Sequence, residues 1–222
     1  MLLTQDQFDE LRTNGKLRLA LIGMSSIGKS HRARELEREL GFTRVSVDDE
    51  IAKRIADELP EVSIEGVASW LDKPYSPNFA EREKRYLKLE EAVCAEIATT
   101  DQEKNFILDT TGSAIYLSQS TLEQIKNANL VIHLAASPEK MQIMIERFLT
   151  TPKPVVWSEI FQIQTGETPE AAIERCYPEL LKWRYTEYER LADITIPCWN
   201  GKAEQHSAEE FLKMIREQLL AA

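Results

Sequence analysis

The chain has 222 residues, 43% of them hydrophobic and 29% charged, with a net charge of −10 and three cysteines. That mixture excludes extensive disorder and suits one sizeable core that buries roughly 70% of the unfolded surface. The acidic balance argues against a nucleic-acid-binding face, the unclustered Cys94, Cys176 and Cys198 against a disulfide framework or zinc site, and the lack of a long apolar run against a membrane span.

Met1–Thr13 mixes Asp6, Asp9, Glu10 and Arg12 into its leucines, unlike a secretory leader, so a cytoplasmic setting is expected. Thr4 and Gln7 have capping-box spacing, and Phe8 with Leu11 predicts a short appended helix over 1–15, closed by Asn14-Gly15 and leaning on the sheet. Leu17–Ile22 is an apolar strand. Behind it, Gly23-Met24-Ser25-Ser26-Ile27-Gly28-Lys29-Ser30 reads as a complete G-x-x-x-x-G-K-[ST] loop between a strand and a helix, the setting this motif requires. The helix carries Ala33, Leu36 and Leu40 at helical spacing and ends at Gly41.

Phe42–Val47 alternates as a second strand; a helix from about Asp49 to Leu59 follows, and a shorter one spans Ile64–Leu71 before Pro74 and Pro77 break the chain. From Phe79, the residues Tyr86, Leu89, Val93 and Ile97 draw an apolar stripe along a long helix. Asn105–Leu108 is a buried strand ending at Asp109, and Asn129–Leu134 is another. Ser137 as cap and Pro138 at the first position open a helix through Met141, Met144 and Phe148. Thr150–Pro154 interrupts it, and Val155–Thr168 has no clear period, so about 150–168 is expected to be a mobile lid. A helix from about Pro169 to Leu191, a strand Asp193–Ile196, a turn at Asn200-Gly201 and an amphipathic helix through Phe211, Met214 and Leu219 complete a single α/β domain. Such alternation predicts a parallel sheet flanked by helices, with ligands at the carboxyl ends of its strands.

The polar residues at those ends carry the chemistry. Backbone N–H groups of Gly23, Ser25, Ser26, Ile27 and Gly28 form a nest for phosphates, Lys29 reaches the β/γ-phosphates and Ser30 ligates Mg²⁺. Asp48, Asp49 and Glu50 follow the second strand, where they either cap the next helix or serve the reaction. Asp109 is either a metal carboxylate or a turn cap, and phosphoryl transfer needs a carboxylate for Mg²⁺ and another for the acceptor hydroxyl. Arg147, Lys153, Arg175 and Arg184 lie on or beside the lid, where arginines clamp phosphates or carboxylates; for Arg175 a solvated helix charge is the better reading. His31, His133 and His206 lack metal-ligand spacing, and Trp157, Trp183 and Trp199 read as packing residues.

Together these residues resemble the shikimate kinase family of small P-loop kinases, from about Leu17 to Ile196. The likeness lies in Gly28-Lys29-Ser30, Asp48-Asp49-Glu50-Ile51 with Lys53-Arg54, Thr110-Thr111-Gly112, Lys153-Pro154-Val155-Val156, and Arg184 with Tyr188 and Ala192-Asp193. The resemblance implies a three-layer P-loop kinase fold, ATP and Mg²⁺ as cofactors, a small-molecule acceptor bound near residues 60–80, and Asp48 as the residue that binds and deprotonates the acceptor. Catalysis then falls to Lys29 and Asp48, acceptor binding to Asp48, Arg82, Gly112 and Arg184, and the metal to Ser30 and Asp109. Four positions depart from the family. Ser46 stands where a Mg²⁺ carboxylate is expected, Ala80 where an arginine clamps the substrate (Arg82 being near), Thr111-Gly112-Ser113 where there is a triple glycine, and Lys153 for the lid arginine. They leave shikimate the leading acceptor, with another acceptor (a nucleoside monophosphate, sugar acid or cofactor precursor) or a silent nucleotide binder as alternatives. Oligomeric state is not legible in the sequence.

Overall fold

The computed structural model describes residues 3–100, 102–150, 155–198 and 206–220. In it, β1 (Arg18–Ile22), β2 (Thr43–Ser46), β3 (Phe106–Asp109), β4 (Leu130–Ala136) and β5 (Ile194–Cys198) form one wholly parallel sheet in the order β2-β3-β1-β4-β5. Every residue of β3 and β4 is buried, odd and even alike, so helices must cover both faces. The three-layer α/β fold is therefore the one expected. Pro197, which cannot donate to a ladder, sits in the edge strand β5.

The strand-loop-helix unit at β1 leads into α2 (Lys29–Leu40), which buries Ala33 and Leu36 and ends at Gly41, whose φ of 69° suits glycine. The acidic helix α3 (Val47–Arg54) starts two residues earlier than its pattern suggested. The cause is Ser46, whose hydroxyl accepts from the Asp49 amide at 3.2 Å. A helix over α4 (Ile64–Leu71) and the long α5 (Phe79–Thr99) follow as read from the sequence. Between β3 and β4 lies α6 (Gln119–Ala128), which the sequence reading missed; two parallel strands need such a crossover, and Ser118 caps it. Then come α7 (Pro138–Thr150) and α8 (Pro169–Leu191).

The N-terminal helix α1 (Gln5–Thr13) has the expected capping box, but rests on α9 (Ala208–Glu217), where the Arg216 guanidinium donates from Nε to both Asp9 oxygens at 2.8 Å. Within the stretch expected as a lid, Val155, Val156, Trp157, Ile160 and Phe161 pack against the core, while residues 162–166 are exposed. Val156 and Trp157 are buried, and the Trp157 and Ser158 amides donate to Glu83 Oε1 on α5 at 2.6 and 3.0 Å. Trp157 lies in an aromatic cluster with Phe148, Phe161 and Tyr177. Lys153, Trp199 and the Asn200-Gly201 turn lie outside the described residues.

Candidate active site

The carboxyl ends of β1, β2 and β3 converge on a cavity of about 590 Å³. Its floor is the loop Gly23–Ser30. Gly23 has φ 140°, and a Cβ there would sit 2.7 Å from the Leu134 carbonyl oxygen on β4, so only glycine lets the loop leave β1 this way. Lys29, first residue of α2, folds back over the loop and donates to the carbonyl oxygens of Gly23 (2.8 Å) and Met24 (3.1 Å). An ammonium has three donors, so one remains for a phosphate oxygen. Burial lowers the Lys29 pKa, opposed by the charges of Asp109 and Asp48. Ser25, Ser26, Lys29 and Ser30 all face the cavity; Ile27 is buried beneath the loop.

Asp48 faces the same cavity from the first turn of α3. With Ser46 already filling the cap, the Asp48 side chain is left for the cavity, where Tyr86 donates to its Oδ1 at 3.3 Å. Burial raises its pKa to about 6 against the pull of Lys29, so the carboxyl titrates close to neutrality, as suits a general base. Asp109 is 2% exposed. Its Oδ2 accepts from Arg44 at 3.4 Å, its Oδ1 is buried without a partner, and burial raises its pKa. No backbone amide donates to it among the described residues, so it does not cap the turn; Thr110 holds that turn by donating to the Leu21 carbonyl at 2.7 Å.

Gly112 and Ser113 bring the loop after β3 to the cavity, and a Cβ on Gly112 would lie 2.6 Å from Ser25 Oγ, so the two loops touch there. Tyr188 on α8 donates to the Gly112 carbonyl at 2.6 Å. Arg184, one turn earlier, also lines the cavity at 3% exposure; it donates to the Val156 carbonyl at 2.6 Å, its Nε has no partner, and no carboxylate pairs with it among the described residues. A buried guanidinium with no carboxylate bonded to it keeps donor capacity for an anion. Arg147 and Lys140 reach the rim from α7.

Two outcomes differ from the sequence reading. Arg82 is not brought to the cavity: it donates to the Trp70 carbonyl at 2.6 Å and lies over the Trp70 ring, bracing α4. Glu90 on α5, which drew no attention, is fully buried beside the site and accepts from Thr111 Oγ1 and, at 2.7 Å, from Ser113 Oγ. Its signal was legible: Glu90 lies four residues after Tyr86 and three before Val93, a charge on the apolar stripe. Arg175 pairs with Glu167, as a solvated charge would. His133 is neutral beneath the loop, its pKa lowered to about 4 by burial, and no cluster of His, Cys, Asp or Glu suited to a metal occurs among the described residues.

A parallel sheet with a glycine-lysine-serine cradle and two carboxylates at adjacent strand ends defines a P-loop nucleotide-binding enzyme of the small-molecule kinase class. Residues 19–142 match the family model described as AAA domain, more than half the chain, and the protein belongs to that family. It is 28% identical over 182 residues to a shikimate kinase of Pasteurella multocida, covering 82% of this chain and 86% of that one. It is 29% identical over 179 residues to one of Thiobacillus denitrificans, covering 80% and 79%. In fold it is similar to a shikimate kinase of Acinetobacter baumannii solved in complex with shikimate (TM-score 0.62, 22% identity, 94% and 97% covered) and to one of Bacteroides thetaiotaomicron (TM-score 0.60, 17% identity, 90% and 98% covered). The chain is thus a P-loop kinase related to the shikimate kinases, and no helix among its described residues is long and apolar enough to cross a membrane.

Proposed function

We propose that the protein transfers the γ-phosphoryl group of ATP to a hydroxyl of a small anionic metabolite, with shikimate as the leading acceptor. The observation that carries this is the sharing of one cavity by Lys29, Asp48 and the unpaired Arg184. Phosphate charge is met by the loop amides and Lys29, an acceptor hydroxyl by Asp48, and an acceptor carboxylate by Arg184. Asp48, with its pKa near 6, takes the hydroxyl proton as the oxygen attacks phosphorus.

The residues fit a magnesium ion. Asp109 keeps a buried carboxylate oxygen without a partner, and the Ser30 hydroxyl helps hold down its pKa. Asp109 is also the register partner of Ser46 on the neighbouring strand, so the carboxylate missing at 46 is present one strand away. Ser30 and Asp109 would hold the ion, which when bound neutralises charge on the phosphates. Lys153 and Arg147 stand as further candidates for the phosphates.

A second reading, a kinase for a different anionic acceptor, is favoured by one observation: Arg82 is committed to Trp70, which leaves Arg184 the sole buried arginine on the cavity among the described residues. The test is ADP release from Mg·ATP by the purified protein with and without shikimate. Strong stimulation supports shikimate; ATP binding without stimulation selects another acceptor or a silent nucleotide binder.

A further inference from the structure

The loop after β3 departs from a run of glycines at the two positions whose hydroxyls meet a buried carboxylate. Thr111 Oγ1 donates to one oxygen of Glu90 and Ser113 Oγ to the other at 2.7 Å, while Thr111 and Ser113 lie 2.9 Å from each other. Ser113 also faces the cavity beside Asp48 and Tyr86; Glu90 does not. The proton count in this triangle fixes what Ser113 presents to a ligand. With Glu90 ionised there are two protons, both drawn into the carboxylate, and Ser113 Oγ offers only lone pairs to the cavity. With Glu90 protonated the acid can give its own proton to Ser113 Oγ, which frees the Ser113 proton to turn toward the cavity as a donor, so Ser113 is no longer held as an acceptor.

We propose that Glu90 is a positioning residue for acceptor recognition: as a carboxylate it turns Ser113 into a hydrogen-bond acceptor, which selects molecules carrying a second donor, such as a vicinal hydroxyl, beside the hydroxyl to be phosphorylated. This rests on the reading of the cavity as the acceptor site. Burial pushes Glu90 up to about 7, against the two hydroxyl hydrogen bonds. The charges facing it are Asp48 on α3, which raises it, with Arg184 on α8 and Lys29 on α2, which favour the carboxylate. The neighbouring phenols of Tyr86, Tyr116 and Tyr188 and the Cys94 thiol all have raised pKa values and stay neutral.

The test measures KM for shikimate and for Mg·ATP between pH 6 and 8.5 in the wild type, Glu90→Gln and Ser113→Ala, together with a ¹³C NMR titration of the Glu90 carboxyl in the wild type. Lowering the pH from 8 to 6 should raise the wild-type acceptor KM about tenfold, one hydrogen bond's worth, and leave the Mg·ATP KM unchanged. Both variants should start from the higher acceptor KM at pH 8 and lose the step near pH 7, keeping only the rise toward pH 6 that Asp48, raised to about 6, gives in all three proteins. A protein merely loosened by the substitutions would lose both KM values together. The Glu90 carboxyl should titrate near neutrality and carry the Ser113 amide resonance with it. Persistence in Glu90→Gln of the full wild-type step near pH 7, above the Asp48 step near 6, or a Glu90 titration to which Ser113 does not respond, overturns the proposal. If shikimate supports no turnover at any pH, the acceptor named above is wrong, and the coupled titration alone decides for or against Glu90.

Discussion

Glu90→Gln should make the protein more stable at alkaline pH and leave it nearly unchanged in acid. Glu90 is fully buried and its pKa is raised from 4.5 to about 7 by burial. Below pH 4.5 the group is protonated in both folded and unfolded chains and contributes no pH dependence. Between 4.5 and 7 the unfolded chain loses the proton while the folded chain keeps it, so stability falls as pH rises, and above 7 the loss levels off at ~3 kcal/mol. Glutamine keeps the shape and an oxygen for the Thr111 hydroxyl without this penalty. Asp48, raised to about 6, obeys the same sign in both proteins and cancels in the comparison, apart from its coupling to Glu90. Urea unfolding of both proteins at pH 5 and pH 8 should therefore show a stability difference that grows by ~2–3 kcal/mol in favour of the variant at pH 8. Parallel pH profiles would mean that Glu90 ionises normally in the folded protein, and the electrostatic description of the cluster would fall.

Two further outcomes separate the site from its surroundings. Arg184→Met should raise the acceptor KM about 10- to 100-fold, the worth of a charge-assisted contact, whereas Arg82→Met should leave it within about twofold and lower stability by ~1 kcal/mol through the lost bond to the Trp70 carbonyl; steady-state kinetics beside thermal unfolding reads both, and the reverse pattern would restore Arg82 as the acceptor clamp. Asp109→Asn should raise the Mg²⁺ concentration needed for half-maximal ADP release about tenfold or more, with metal-free ATP binding nearly unchanged in calorimetry; an unaltered Mg²⁺ requirement would remove Asp109 from the metal site.

How far the sequence reaches is clearest residue by residue. The phosphate loop and the bounds of α4 and α8 were readable because each is set locally, by motif spacing, a serine or threonine cap and a 3.6-residue stripe. The start of α3 was misjudged because Ser46 serves both as the last residue of β2 and as a helix cap, and the strand pattern hid the cap. Arg82 stands two residues past Ala80, where the resemblance puts a substrate clamp, but its direction depends on where α4 packs, and the Trp70 carbonyl captures it. Glu90 is hidden among the many charges of α5, although it alone falls where the stripe demands an apolar residue, between Tyr86 and Val93 on the buried side. The segment around Trp157 lacks a period for a different reason: Trp157, Ser158 and Phe161 are held by aromatic packing and by Glu83 around a single helical turn.

The departures from the shikimate kinase pattern also become intelligible as pairs. Ser46 lacks a carboxylate, and Asp109, its register partner on β3, supplies one whose free oxygen is buried; Arg44, reaching Asp109, Asp49 and Glu37, supplies positive charge to these carboxylates. Likewise the flexible glycines are replaced by Thr111 and Ser113, and the hydroxyls thereby introduced are tied to Glu90. A buried glutamate facing an all-glycine loop would be an unsatisfied charge, and hydroxyls in that loop without the glutamate would have no common acceptor. The two hydroxyls and Glu90 thus make physical sense together, while the cradle from Gly23 to Ser30 keeps every position of its motif. These bonds favour, for the function proposed above, an acceptor half organised around Glu90 beside an intact phosphate loop.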